Sequence, residues 1–81
     1  MIISDLAAAF DRHFKLDSGT LVSVDLCDNG KMVEFGFVST ITGTKQFIGI
    51  KLSGQSYNEA GKDAAEGAMK WLAAHHERVK V

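Results

Sequence analysis

The chain has no proline and a single cysteine, and its charges almost cancel. Without proline, internal repeats or a low-complexity segment, nothing in its 81 residues reads as a linker, and there is room for one hydrophobic core. Cys27 alone cannot form an internal disulfide, so folding does not require an oxidising compartment. A formal net charge of −1 speaks against a general polyanion binder, which needs a surplus of Lys and Arg. It speaks equally against an acidic mimic of nucleic acid. No apolar run approaches the length of a membrane span. The opening Met-Ile-Ile-Ser-Asp lacks the basic stretch and apolar run of a secretory signal. The expectation is a cytoplasmic globular protein with no membrane partner.

The most informative stretch is Ser56 to His76, which reads as an amphipathic helix. At helical spacing one arc collects Tyr57, Ala60, Gly61, Ala64, Ala65, Gly67, Ala68, Trp71, Leu72 and His75. The opposite arc holds Glu59, Lys62, Asp63, Glu66, Lys70 and Glu77, a solvated face. Ser56 and Glu59 have the spacing of a capping box, and Gly54 lets the chain turn before it. Arg78 and Lys80 put positive charge at the carbonyl end of the helix dipole. A shorter helix opens the chain, with Ser4 as N-cap and Leu6, Ala9, Phe10, His13 and Phe14 on one side. Asp17-Ser18-Gly19 then ends it.

From Thr20 the period changes to two. Asp28-Asn29-Gly30-Lys31 has the chemistry of a type I′ hairpin, which sets Leu26 opposite Val33, Val24 opposite Phe35 and Val22 opposite Phe37. A second turn centred on Thr42-Gly43 would set Phe37 opposite Ile48, Phe35 opposite Ile50 and Val33 opposite Leu52. All nine apolar residues then share one face. The predicted fold is α+β: α-β-β-β-α, a three-stranded antiparallel sheet with both helices on its apolar face.

That element order, with the alanine-rich helix last, resembles the double-stranded RNA-binding domain over nearly the whole chain. The segment Gly54-Gln55-Ser56-Tyr57-Asn58-Glu59-Ala60 is similar to the family's G-x-S-K-K-x-A, and Ala64, Ala65 and Ala68 continue its alanine run. The resemblance implies the fold. It does not carry over the RNA contacts, because Tyr57, Asn58 and Gly61 stand where the family has phosphate-binding lysines. The tight, acidic Asp28-Asn29-Gly30 replaces the family's longer loop into a minor groove. Arg12, Lys15 and Lys62 are the bases left for RNA.

Chemistry is sparse. Adjacent His75 and His76 point about 100° apart on a helix and cannot chelate one ion, and with His13 they read as packing or helix-end residues. Asp25 and Glu34 face each other on the sheet's open side, where no pocket excludes water, and read as a solvated charge row beside Lys51. Cys27 has no basic neighbour or helix N-terminus to make a thiolate. No catalytic residue, metal site or cofactor is expected, and the chain does not read as an enzyme.

The open face is the remaining candidate. In the expected register Leu21 lies at one edge, Val38 faces Phe47, Gly36 faces Gly49, and Glu34 faces Lys51. Glycines inside strands point to bulges or to a close approach by another surface. These residues suggest a non-catalytic module that binds another protein or itself, with a homodimer through the open face as one form. Small domains without catalytic sets also occur among phage and mobile-element inhibitors, such as those of the anti-CRISPR type. The alternative is a weak double-stranded RNA binder using Arg12, Lys15 and Lys62.

Overall fold

The last helix starts where its side chains dictate. In a computed structural model, which describes the backbone of residues 2–80 and the side chains of 3–75, Glu59 N–H donates to Ser56 Oγ at 3.2 Å. Ser56 N–H donates in return to the Glu59 carboxylate at 3.2 Å, completing the capping box. This helix, α2, runs Tyr57–Lys80, and the first helix, α1, runs Ile2–His13. Between them lie β1 (Gly19–Cys27), β2 (Met32–Ser39) and β3 (Lys45–Lys51), an antiparallel sheet in the order β1-β2-β3. The architecture is α-β-β-β-α with both helices packed against the sheet. No helix among the described residues is long and apolar enough to cross a membrane. The side chains of His76, Glu77, Arg78 and Lys80 lie outside the described residues.

Two details at the helix starts differ from expectation. Ser4 is inside α1 rather than capping it, because the helix starts at Ile2. Tyr57, expected on the buried arc, is 38% exposed. The rest of that arc holds: Ala60, Gly61, Ala64, Ala65, Ala68 and Leu72 are buried. Trp71 is partly buried against the core, edge-on to Phe37 with ring centroids 5.7 Å apart. Its other side stacks on His75 at 4.5 Å.

The first hairpin follows its turn chemistry. Asn29 (φ 55°) and Gly30 (φ 82°) are left-handed as a type I′ turn requires, but Asp28 (φ 52°) is left-handed too, so Asp28–Gly30 form one short 3-10 turn closed by Lys31 N–H donating to Asp28 O at 3.0 Å. Leu26 pairs with Val33 and Val24 with Phe35, as predicted, but then a bulge intervenes and Leu21, not Val22, sits opposite Phe37. The bulge has a cause in the sequence. Leu21 and Val24 are three apart, so both can face the helices only if one extra residue is spliced between them. Val22 is that residue, and it is 51% exposed.

The second hairpin is offset by two residues. Phe35 pairs with Ile48 and Val33 with Ile50, while Phe37 meets Gln46. Thr42-Gly43 is not a two-residue turn centre, because the loop is wider. Ser39 Oγ accepts N–H groups from Ile41 and Thr42, and Gly43 N–H donates to Ser39 O at 2.9 Å with Gly43 at φ 75°. A shift of two preserves the faces. Val33, Phe35 and Phe37 are buried, with Leu21, Val24, Ile48, Ile50 and Leu52 packed against them. Leu26, at the turn end of β1, is 39% exposed.

The small residues of α2 serve its contact with α1 as well as with the sheet. A β-carbon at Gly61 would overlap Ala9 Cβ and stand 2.8 Å from the Phe10 backbone nitrogen, so the two helix backbones nearly touch there. At Gly67 the nearest atom would be Ile48 Cδ1 at 3.1 Å, the far end of a flexible side chain. The two glycines should therefore respond in opposite ways to alanine. Gly61→Ala forces two backbones apart and is expected to cost about 1–3 kcal/mol. Gly67→Ala should be neutral or gain up to about 1 kcal/mol from helix propensity. Urea melts of both variants check this, and a stabilised Gly61→Ala would refute the close helix contact.

Candidate protein-binding face

The sheet's second face is left open by the helices, and its cross-strand rows are set by the two hairpins. Thr20, Val38 and Lys45 form one row, and Ser23, Gly36 and Phe47 the next. Asp25, Glu34 and Gly49 follow, then Cys27, Met32 and Lys51. Several expected neighbours are therefore corrected. Val38 lies opposite Lys45 rather than Phe47, Gly36 opposite Phe47 rather than Gly49, and Glu34 opposite Gly49 rather than Lys51. The wider Ser39-capped loop is the reason, since it slides β3 by two positions. Leu21 leaves this face altogether, because the bulge turns it toward the core, where it packs as a partly buried residue.

The middle of the face is not bare backbone. Gly36 is buried, and a β-carbon on it would overlap Ser23 Oγ and lie 3.0 Å from a ring carbon of Phe47. The chain's own Phe47 ring therefore lies over Gly36, an aromatic residue covering a strand glycine on its neighbour. Phe47 remains 47% exposed, so the ring's outer side is free for another contact. Lys45 places its ammonium 5.0 Å from the centre of that ring, a cation–π arrangement. Gly49 is the glycine that stays open: a β-carbon there would have Met32 Sδ as its nearest neighbour, at 3.4 Å.

Charge on the face is divided by strand. Asp25 and Glu34 sit directly opposite each other on β1 and β2, and like charges so placed are unfavourable. Gly49 completes their row, so β3 offers no cation there. The lysines of the face, Lys45 and Lys51, are exposed at the two ends of β3.

The other residues singled out by the sequence are spread elsewhere on the molecule. Arg12 Nη1 donates to Asn58 Oδ1, and His13 Nε2 lies 3.4 Å from the same oxygen. Lys15 reaches α2 only through its backbone N–H, 3.5 Å from Met69 Sδ. Lys62 is exposed one turn after Asn58. The three bases thus follow the seam between the helices, separated by neutral and acidic residues. Cys27 Sγ is 3.8 Å from Asp25 O. Among the described residues no group of three or more His, Cys, Asp or Glu could hold a metal ion.

Sequence reasoning missed two features. One is a shallow groove of about 340 Å³ between α1 and the β1 edge, lined by residues that include Ile3, Ala7, Asp11 and Val22. The adjacent apolar pair Leu21-Val22, which breaks strict alternation, was its available signal. The other is Ser23, whose Oγ is buried with no hydrogen-bond partner among the described residues.

Comparisons of the chain with protein-family models, curated proteins and solved structures give no significant match.

An unpaired buried hydroxyl is a cost rather than an asset, about 1–3 kcal/mol of desolvation. Ser23→Ala is accordingly expected to hold or raise the melting temperature. A drop of more than about 1 kcal/mol in chemical denaturation would mean that the hydroxyl has a partner after all.

Proposed function

We propose that this chain is a non-catalytic protein-binding module that docks through the open face of its sheet, on a scaffold resembling the double-stranded RNA-binding domain. The single observation that carries this reading is Phe47. A large aromatic ring on β3 stands half-exposed, held over Gly36 of the central strand with the Lys45 ammonium beside it. Interface hot spots are bulky side chains of this kind, pre-positioned and ringed by polar groups. Glu34, Lys45 and Lys51 supply such a rim here. A module of this type acts by occupying a partner's surface, and an inhibitor of the phage or mobile-element type is one concrete form.

Phe47→Asp should weaken partner capture by at least about thirtyfold, the size of a hot-spot loss. Its melting temperature should fall by no more than about 8 °C, since losing the ring uncovers Gly36 but leaves the helix–sheet core intact. Capture quantified by surface plasmon resonance, alongside a thermal melt, checks both. A variant that unfolds would place Phe47 in the core, and one that binds as well as wild type would move the site elsewhere.

The alternative RNA reading makes a separate prediction. With no cluster of bases along the helix seam, affinity for a duplex RNA of about twenty base pairs should be weaker than roughly 10⁻⁵ M at physiological salt. A sub-micromolar, salt-resistant shift that prefers RNA to DNA would favour the alternative.

A further inference from the structure

We infer that the partner of the open face is a second copy of this chain, packed about a two-fold axis that sets Lys45 of each copy on the Asp25–Glu34 pair of the other. The inference rests on the docking role proposed for that face and names its occupant.

Three observations carry it. The first is that the face holds both halves of an ion pair without joining them. Asp25 and Glu34 oppose each other with Gly49 completing their row, and Lys45 stands two rows away on the far strand. The acidic pair therefore sets two like charges side by side, an arrangement that a cation from outside would relieve. The second observation is the placing of these groups around Gly36. Lys45 is at one corner of the block of strands centred on Gly36, and Asp25 is at the diagonally opposite corner. An isologous interface needs such self-complementarity, in which one residue meets a second and the second meets the first. A two-fold lying in the plane of the face, through Gly36 and perpendicular to that diagonal, exchanges those corners. It brings each lysine onto the other copy's acids.

The third is what the same axis does to Phe47. With strands about 4.8 Å apart and a rise of about 3.4 Å per residue, the two Phe47 rings fall beside each other next to the axis. The exposed apolar ring is thus covered by its own counterpart, while the charges close the rim. The strands of the two sheets cross steeply, as in orthogonal sheet packing. Lys45 already holds its ammonium over the Phe47 ring and needs only to swing outward to reach the acids. A face three strands wide is smaller than a standard interface, so the dimer should be weak and transient.

Sedimentation equilibrium of the full chain up to about 1 mM tests this, with circular dichroism confirming that each variant is folded. Wild type should dimerise, and Phe47→Asp should be monomeric. Lys45→Glu and Asp25→Lys should each lose association at least tenfold, because each places like charges across both symmetric contacts. An equimolar mixture of those two variants should recover it to within about threefold, since opposite charges then meet at both. Failure of the mixture to recover overturns the inference, as does association that appears only when duplex RNA is added. A wild type that stays monomeric overturns it too, and leaves docking to a foreign protein to be decided by the Phe47→Asp capture measurement. A dimer that Phe47→Asp leaves intact overturns both the inference and the open-face reading on which it rests.

Discussion

The contact on which this structure depends most is the approach of α2 to α1 at Gly61. With no side chain there, the helix backbones come together near Ala9 and Phe10, and the helix pair becomes narrow enough to share one face of a three-stranded sheet. In the same core Phe10 stacks on Phe35, with ring centroids 5.6 Å apart, and on Phe14 at 5.2 Å, alongside the buried Ala60, Ala64 and Ala65. A small domain has little apolar surface to spare. Concentrating it in Phe10, Phe35 and Phe37, all fully buried, is how this one forms a core without disulfide or proline.

The same economy explains the asymmetry of the sheet. One face is saturated with aromatic and branched side chains, and the other carries charges, two glycines and a single large ring. Phe47 does on the open face what the helices do on the closed one, since it shields a length of β2 backbone that Gly36 would leave exposed. The ring is thus packed on the chain's own backbone, and a side chain already so placed would lose less entropy in an interface.

Much of this is legible in the residues. The Ser56–Glu59 box, the Asn29-Gly30 turn and the period change at Thr20 are local signals, and each appears in the structure where the sequence puts it. What is not legible depends on cooperation between distant parts. The register of β3 rests on Ser39 gathering the N–H groups of a wider loop, which no two-residue turn rule anticipates. The bulge at Val22 follows from competition between Leu21 and Val24 for the same buried side. Both effects reach the candidate site. Sequence patterning puts Phe47 on the correct face, but the turn rule gives it neighbours from a register two residues away, and simple alternation sends Leu21 to the wrong side. Because the offset is even, the division into faces survives while every cross-strand pair on β3 changes.

Trp71 gives the molecule a built-in optical reporter with a useful blind side. The chain's one tryptophan lies on the helix side of the sheet, with Phe37 at its edge and His75 stacked on its face. Loss of the helix–sheet packing would strip both rings away and change its emission, whereas a contact on the opposite face would leave that surrounding intact. Tryptophan fluorescence therefore follows the folding of this protein and is silent to anything that touches only the sheet's open face.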